Sequence, residues 1–293
     1  MARGGESKNP ADRVFHTRLR ETIHFPDLSE RRALKLTALP RYTARAHFGL
    51  WMRRHRNLDG ADPERTFTPL VHVDLQASDV PLDPAERIHV HGKTFLARTV
   101  DESGATRNLA REGHYTVLRK DGEVVARVRL VNFFTRNDPS PEHRRVTRLP
   151  EALGLGEGPS RATEVPSVDD LIPLDRAPDL AESSDRVWHY GQTDPNRHVN
   201  AVEYLRTIEE HVGTSLASVG HDLSRVWVRR ARIVYRKPCF RGETYRRIAW
   251  MIGEAPPRIG AAIRKGNDAP GAKPAVAVEL TLDQHDRTEG DAR

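Results

Sequence analysis

The residues best suited to chemistry lie within 193–205, where four of them fall within seven positions: Asp194, Asn196, His198 and Asn200. Asp, Pro and Asn favour turns and helix starts. An apolar helix face is predicted directly afterwards by residues that recur at steps of three and four, namely Leu205, Ile208, Val212, Leu216 and Val219. A helix start carries unpaired N–H groups and a positive partial charge. The stretch therefore places titratable side chains where developing negative charge on a carbonyl oxygen can be stabilised.

A repeated pattern of strands and helices in the two halves of the sequence indicates which elements position this stretch. Two windows, 71–90 and 226–245, each contain a strand, a bend with a proline, a glutamate and a second strand. The two prolines are 157 positions apart, and so are the two glutamates. Helical segments precede the windows at 42–56 and 201–219, and strand hairpins follow them. Each half therefore predicts an α+β unit, one long helix beside a curved antiparallel sheet.

The length of 293 residues suits two such units. We predict an N-terminal unit over 12–136, a linker over 137–185 and a C-terminal unit over 186–284 that carries the Asp/Asn/His stretch. The linker is rich in Pro, Gly, Ser and acidic residues and has little apolar periodicity, which predicts an extended course over the surface.

Composition excludes several classes of function. The formal charge is +6, but the sequence has no helix-turn-helix signature, zinc-finger spacing or RNP-like strand, so a nucleic-acid partner is not expected. An acidic protein or an anionic small molecule fits the basic charge equally well. The single cysteine, Cys239, cannot form an intramolecular disulfide. With no apolar run long enough for a membrane span and no secretory signal, we expect a cytoplasmic protein.

Two motifs resemble those of the acyl-ACP thioesterases, enzymes with two hotdog units in one chain. The first, Asp194-Pro195-Asn196-Arg197-His198-Val199-Asn200 with Tyr204, resembles D-x-N-x-H-V-N-N-x-x-Y. The second, Ile233-Val234-Tyr235-Arg236-Lys237-Pro238-Cys239, resembles the strand Y-R-R-E-C. The resemblance covers roughly 187–251. It implies a double-hotdog fold packed as an internal pseudo-dimer, and hydrolysis of an acyl thioester on acyl carrier protein or coenzyme A.

The resemblance also assigns roles to residues. Asp194, Asn196 and His198 are the implied catalytic carboxylate, amide and imidazole, and Asn200 and Tyr204 are the implied substrate-binding residues. A thioester carbonyl under attack needs donors for its oxyanion and a base for the nucleophile, and these residue types can supply both. We expect backbone N–H groups of the following helix to contribute donors. No metal or redox cofactor is implied.

Cys239 and Glu203 are secondary catalytic candidates. Cys239 stands where the family has a cysteine, and Glu203 is an acid that can substitute for the family's strand glutamate, which is Pro238 here. Because of that departure, acyl transfer or dehydration on a carrier-bound chain remains an alternative to hydrolysis, and so does non-catalytic acyl binding. The other departure is Ala201, which replaces the second Asn of H-V-N-N.

Each candidate also has a structural interpretation. Asp194 or Asn196 can cap the helix and His198 can be a solvated turn residue; Cys239 can be a small residue packed on a strand. The segment 47–56 is either a docking patch for an acidic carrier protein or a core-packing helix face with solvated arginines. His89 and His91 read as a surface pair rather than a metal site.

The first half lacks an equivalent of the Asp/Asn/His stretch, because its positional counterpart, 26–30, has neither Asn nor His. We therefore expect one active site per chain. We expect the chain to be either a monomer, whose two units form the pseudo-dimer, or a homodimer. No membrane partner is expected.

Overall fold

The computed structural model describes residues 9–54, 66–136, 138, 140, 143–148, 158–195, 197–254, 257–269 and 271–284. The chain forms two compact units. Unit 1 comprises Met1–Arg32, Ala38–Val73 and Val80–Val165, and unit 2 comprises Ala33–Thr37, Asp74–Asp79 and Pro166–Arg293. Among the described helices, none is long and apolar enough to cross a membrane.

Unit 1 is built from one helix and long antiparallel strands. Its elements are β1 (Phe15–Thr22), α1 (Leu39–Arg54), β2 (Leu70–Ala77), β3 (Arg87–Val100), β4 (Thr106–Leu118) and β5 (Val124–Phe133), and the last four residues of β2 belong to unit 2. The strands follow the order β1, β3, β4, β5, β2. Helix α1 packs on β1, β3 and β5, burying Tyr42 and Ala46 on the sheet. The predicted helix over 42–56 thus begins three residues earlier, while residues 55 and 56 lie outside the described residues.

Unit 2 repeats this plan. Its elements are β6 (Leu180–Ala181), β7 (Arg186–Val187), α2 (Ala201–Ser218), β8 (Val226–Tyr235), β9 (Thr244–Glu254), β10 (Pro257–Lys265) and β11 (Val276–Gln284). The strands follow the order β8, β11, β10, β9, β6, and β7 also pairs with β9. The predicted apolar face of α2 is confirmed, except that Val219 follows the helix and is exposed. An antiparallel sheet with few helices agrees with the predicted α+β class.

The two glutamates that are 157 positions apart close the same turn in both units. In unit 1 the Glu86 carboxylate accepts from Asp83 N at 3.0 Å and from Arg119 Nε at 3.0 Å. In unit 2 the Glu243 carboxylate accepts from Phe240 N at 2.9 Å and from Lys265 Nζ at 2.9 Å. The residue just before each glutamate has a left-handed backbone, with φ of 66° and 84°. The repeat seen in the sequence is therefore also a repeat of hydrogen-bonded geometry.

Part of the predicted linker is buried. Val168, Leu171 and Ile172 lie in the apolar core of unit 2 together with Trp250 on β9. The Trp250 indole N–H donates to the Arg176 carbonyl at 3.2 Å. This differs from the surface course that the composition predicts, because three apolar side chains spaced for one short turn are enough to anchor the segment.

Candidate active site

The Asp/Asn/His stretch forms a narrow loop ahead of α2. Asp194 N donates to the His198 carbonyl at 2.9 Å, and Arg197 N donates to the Asp194 carbonyl at 2.9 Å. Arg197 has a left-handed backbone with φ of 65°, which lets the chain reverse within these few residues. One backbone hydrogen bond therefore joins Asp194 to His198, and both side chains are half-buried. Asn196 lies in this loop but outside the described residues.

Backbone hydrogen bonds fix the far side of the loop. Val199 N donates to the Cys239 carbonyl at 2.8 Å, and Asn200 N donates to the Gln192 carbonyl at 2.8 Å. The loop is thus held between the 3₁₀ turn Tyr190–Gln192 and the connection that follows β8. A site held on two sides keeps its side chains in one geometry, as acid–base chemistry requires.

Asn200, rather than Asp194 or Asn196, caps α2. Its side-chain oxygen accepts from Val202 N at 3.0 Å, and its carbonyl accepts from Glu203 N at 2.9 Å. These two N–H groups were expected to serve a substrate oxyanion, but they already have partners. These two N–H groups are therefore not free to bind an oxyanion, and side-chain donors of the loop, such as the His198 ring, are the alternative.

Phe240 is a contact of the site that the sequence does not reveal. Its ring meets the His198 ring edge-on, with centroids 5.0 Å apart and planes at 79°. Lys265 Nζ lies 5.5 Å from the centroid of the Phe240 ring, and Glu243 holds both residues through the turn described above. Glu243 is not a substitute for the glutamate that the thioesterase motif has at the position of Pro238. Glu86 makes the same two hydrogen bonds in unit 1, where no Asp/Asn/His stretch is present, so these contacts are structural.

Tyr204 and Cys239 join the loop to the core. Cys239 N donates to the Tyr204 hydroxyl at 2.9 Å, and the Tyr204 ring packs edge-on against Trp188. Both side chains are buried, and burial raises the pKa of each. A buried thiol with a raised pKa is a poor nucleophile, so the geometry supports a packing role for Cys239. Tyr204 likewise positions the loop.

Replacing Cys239 with Ala is expected to leave turnover within roughly threefold of the wild type, because its thiol is not the attacking group. The measurement is steady-state hydrolysis of one acyl thioester by both proteins. A loss of roughly 100-fold or more, in a variant that retains its thermal midpoint, would restore Cys239 as the nucleophile.

Glu203 is paired rather than available. Its carboxylate forms a hydrogen-bonded ion pair with Arg206, one turn further along α2. An acid in the first turn of a helix is also stabilised by the helix dipole. These contacts explain Glu203 without a catalytic role.

The first half of the chain contains a similar loop without the Asp, Asn and His side chains. His24 precedes the 3₁₀ turn Phe25–Asp27 as His189 precedes Tyr190–Gln192. Five residues after each turn comes an arginine with a left-handed backbone, Arg32 with φ of 64° in unit 1. The positions of Asp194, Asn196 and His198 then correspond to Ser29, Arg31 and Ala33. Because this loop forms without Asp, Asn or His, those residues in unit 2 are not needed to build it.

Two cavities, of about 860 and 400 Å³, lie in unit 1 and are lined by none of the motif residues. An acyl-binding channel beside the motif therefore stays a prediction. The described residues also hold no group of three or more His, Cys, Asp or Glu side chains arranged for a metal ion.

The fold is that of known acyl-ACP thioesterase structures. An acyl-ACP thioesterase from Bacteroides thetaiotaomicron superposes with a TM-score of 0.64 at 14% identity, covering 92% of this chain and 98% of the other. The 12:0-ACP thioesterase from Umbellularia californica gives a TM-score of 0.61 at 14% identity with the same coverage. No protein-family model and no curated protein matches the sequence. The resemblance drawn from the two motifs is thus confirmed for the hotdog fold.

Proposed function

We propose that this protein hydrolyses an acyl thioester carried on acyl carrier protein or coenzyme A. The observation that carries the proposal is the loop of unit 2, which sets Asp194 and His198 across one backbone hydrogen bond. The corresponding loop in the first half of the chain keeps the left-handed arginine and the hydrogen bond from Arg32 N to the Ser29 carbonyl, and it lacks these side chains. Polar groups that the fold does not require are candidates for chemistry.

In the proposed reaction, Asp194 takes a proton from water as the water oxygen bonds to the thioester carbon. The carbonyl oxygen becomes an oxyanion, which the Asn196 amide and His198 stabilise as donors. Collapse of the intermediate breaks the carbon–sulfur bond and returns the proton to the leaving thiolate. The products are a free acid and the thiol of the carrier.

The two units act in this proposal as tandem hotdog units, with boundaries near 12–136 and 186–284. The matching glutamate turns and loops support their origin as repeats. Only the second unit bears the motif, so the chain has one active site. Unit 1 then serves substrate binding and structure, and the chain is a monomer or a homodimer in the cytoplasm.

The test offers the purified protein a series of acyl groups of increasing length, each on acyl carrier protein and on coenzyme A. Mass spectrometry of the products is expected to show the free acid and the free carrier thiol. Tight binding without turnover on any of these thioesters would contradict the proposal and support an acyl-binding protein.

Acyl transfer or dehydration is the second candidate, and Pro238 in place of the family's strand acid is the observation that favours it. The same mass spectra distinguish it, because they would contain an acyl group on a new acceptor or an enoyl product instead of the acid.

A further inference from the structure

Three strands of unit 1 share a strongly basic outer surface. Along β1 every second side chain is exposed, and the same alternation continues on β3. We call this surface the basic sheet face; it consists of His16, Arg18, Arg20, Arg87, His89, His91, Lys93 and His114.

The strand register places these side chains opposite one another. His16 pairs with Lys93, Arg18 with His91 and Arg20 with His89 across β1 and β3, and Lys93 pairs with His114 across β3 and β4. Arg18 is thereby diagonal to Lys93, and Arg20 is diagonal to Arg87, a spacing at which long side chains still interact, so these like charges repel one another. The described residues provide no ion pair for Arg18, Arg20, Arg87 or Lys93. The fold thus maintains a cluster of cations that nothing within it requires.

The carboxylate of Glu112, on β4, pairs with one member of this face, His114, and with none of the arginines and lysine of β1 and β3. Its oxygens accept from His114 at 2.6 Å, from Arg129 at 2.7 Å, and from the Thr163 hydroxyl. Burial alone would raise the pKa of Glu112, but these hydrogen bonds outweigh it and lower the pKa to about 2. The carboxylate is therefore committed to a buried network at one end of the face, and the cations of β1 and β3 remain uncompensated.

The size and spacing of the face match an acidic protein surface. Its cationic rows border a cavity of about 860 Å³ lined by Arg18, Lys93 and three histidines. Neighbouring strands are roughly 4.8 Å apart and alternate residues roughly 6.8 Å apart. Acidic side chains one helical turn apart are separated by about 5–6 Å, so a row of them can meet these cations.

Single-stranded nucleic acid fits the face less well, because it binds through exposed aromatic rings as well as charge. Phe95, the aromatic residue lining the cavity, is stacked on His114 with centroids 5.6 Å apart. The Arg161 guanidinium also lies 5.0 Å from the centroid of the Phe95 ring. The ring is thus occupied by neighbours and is not a platform for bases.

We propose that the basic sheet face docks the acidic surface of the acyl carrier protein that delivers the thioester. This inference rests on the proposed function and deepens it, since it makes the carrier-bound thioester the preferred substrate over the coenzyme A thioester. It also places carrier docking on the sheet rather than on the segment 47–56, which the sequence offered as a docking patch.

The test uses Arg18→Glu and Lys93→Glu, with Arg107→Glu as the matched control. Arg107 is exposed on β4 but lies outside the face, and its replacement changes the net charge equally.

Each face variant is expected to weaken binding of labelled holo-acyl carrier protein by roughly tenfold, as measured by fluorescence anisotropy at low salt. KM for the acyl-carrier substrate should rise in parallel while kcat stays unchanged. The same acyl group on coenzyme A should be hydrolysed as by the wild type. The differences should narrow at about 0.5 M salt, where charge interactions are screened.

Several results would overturn the docking proposal. One is carrier binding that is unaffected by the face variants, and another is an equal loss in Arg107→Glu. A parallel loss with coenzyme A thioesters would show that the effect is not specific to the carrier protein. Loss of single-stranded DNA binding with unchanged carrier binding would assign the face to nucleic acid. Failure of the proposed function is separable, because holo-carrier binding is measured without hydrolysis.

Discussion

Asp194→Asn and His198→Ala are each expected to lower the turnover number for thioester hydrolysis by at least ~100-fold, the scale of a lost positioned acid–base group. Asp194→Asn retains the size of the side chain and removes the base. His198→Ala removes the imidazole donor, while the backbone hydrogen bond from Asp194 N to the carbonyl of residue 198 is retained. The measurement is the steady-state rate on the best thioester of the series, with kcat and KM determined separately.

Ser29→Ala in unit 1 is the matched control. Ser29 occupies the position equivalent to Asp194, and its buried hydroxyl has no hydrogen-bond partner among the described residues. Its removal should leave both turnover and the thermal midpoint unchanged. If Asp194→Asn and His198→Ala also retain the wild-type rate while folded, neither residue belongs to the mechanism.

The sequence predicted the parts of the site that depend on local spacing. The loop, the start of α2 and its apolar face follow from turn formers and a helical period within one continuous stretch. The 157-residue offset likewise located the glutamate turns before any geometry was known. These features are local because each is closed by hydrogen bonds over a few residues, as between Glu243 and Phe240.

The sequence did not predict contacts between segments that are distant in the chain. The approach of Phe240 to His198 and the hydrogen bond from Cys239 N to Tyr204 depend on how β8 and β9 meet the loop. Burial of Val168 and its neighbours depends on a space beside Trp250 that no local pattern encodes. The identity of the cap was also missed, because Asp, Asn and a second Asn all suit a helix start and only geometry selects Asn200.

The second large effect is expected at the buried guanidinium of Arg247, which ties β9 to α2. Arg247 Nη1 donates to the Thr207 carbonyl of α2 at 2.9 Å, and Nη2 donates to Glu182 at 2.5 Å. Glu182 also accepts from Arg247 N at 3.1 Å and from Arg186 Nε at 2.7 Å. The helix that follows the Asp/Asn/His stretch is therefore held to the sheet by the hydrogen bond between Arg247 and Thr207, and Glu182 pairs the charge of this fully buried arginine.

Glu182→Ala is expected to lower the free energy of unfolding by about 3–5 kcal/mol at pH 7, because it leaves the Arg247 charge buried without its main partner. Glu210→Ala is the control, since Glu210 contacts the same guanidinium at 3.4 Å but is mostly exposed. Glu210→Ala should lower the free energy of unfolding by less than about 1 kcal/mol. Urea unfolding of the three proteins measures both values, and equal losses in the two variants would contradict the argument.

The pH dependence of this difference gives an independent check. Burial would raise the pKa of Glu182, but hydrogen bonds from Arg247 and Arg186 lower it from 4.5 to about 2. A carboxylate whose folded pKa is depressed contributes stability above its unfolded pKa, and that contribution disappears as the pH falls through the folded pKa. The difference in the free energy of unfolding between wild type and Glu182→Ala should therefore be constant near neutral pH and shrink between pH 4.5 and about 2. Because Arg247 also donates to the Thr207 carbonyl, loss of the ion pair with Glu182 loosens the helix that follows the Asp/Asn/His stretch. Glu182→Ala should then lose turnover at lower temperature than wild type, although Glu182 is not part of the loop.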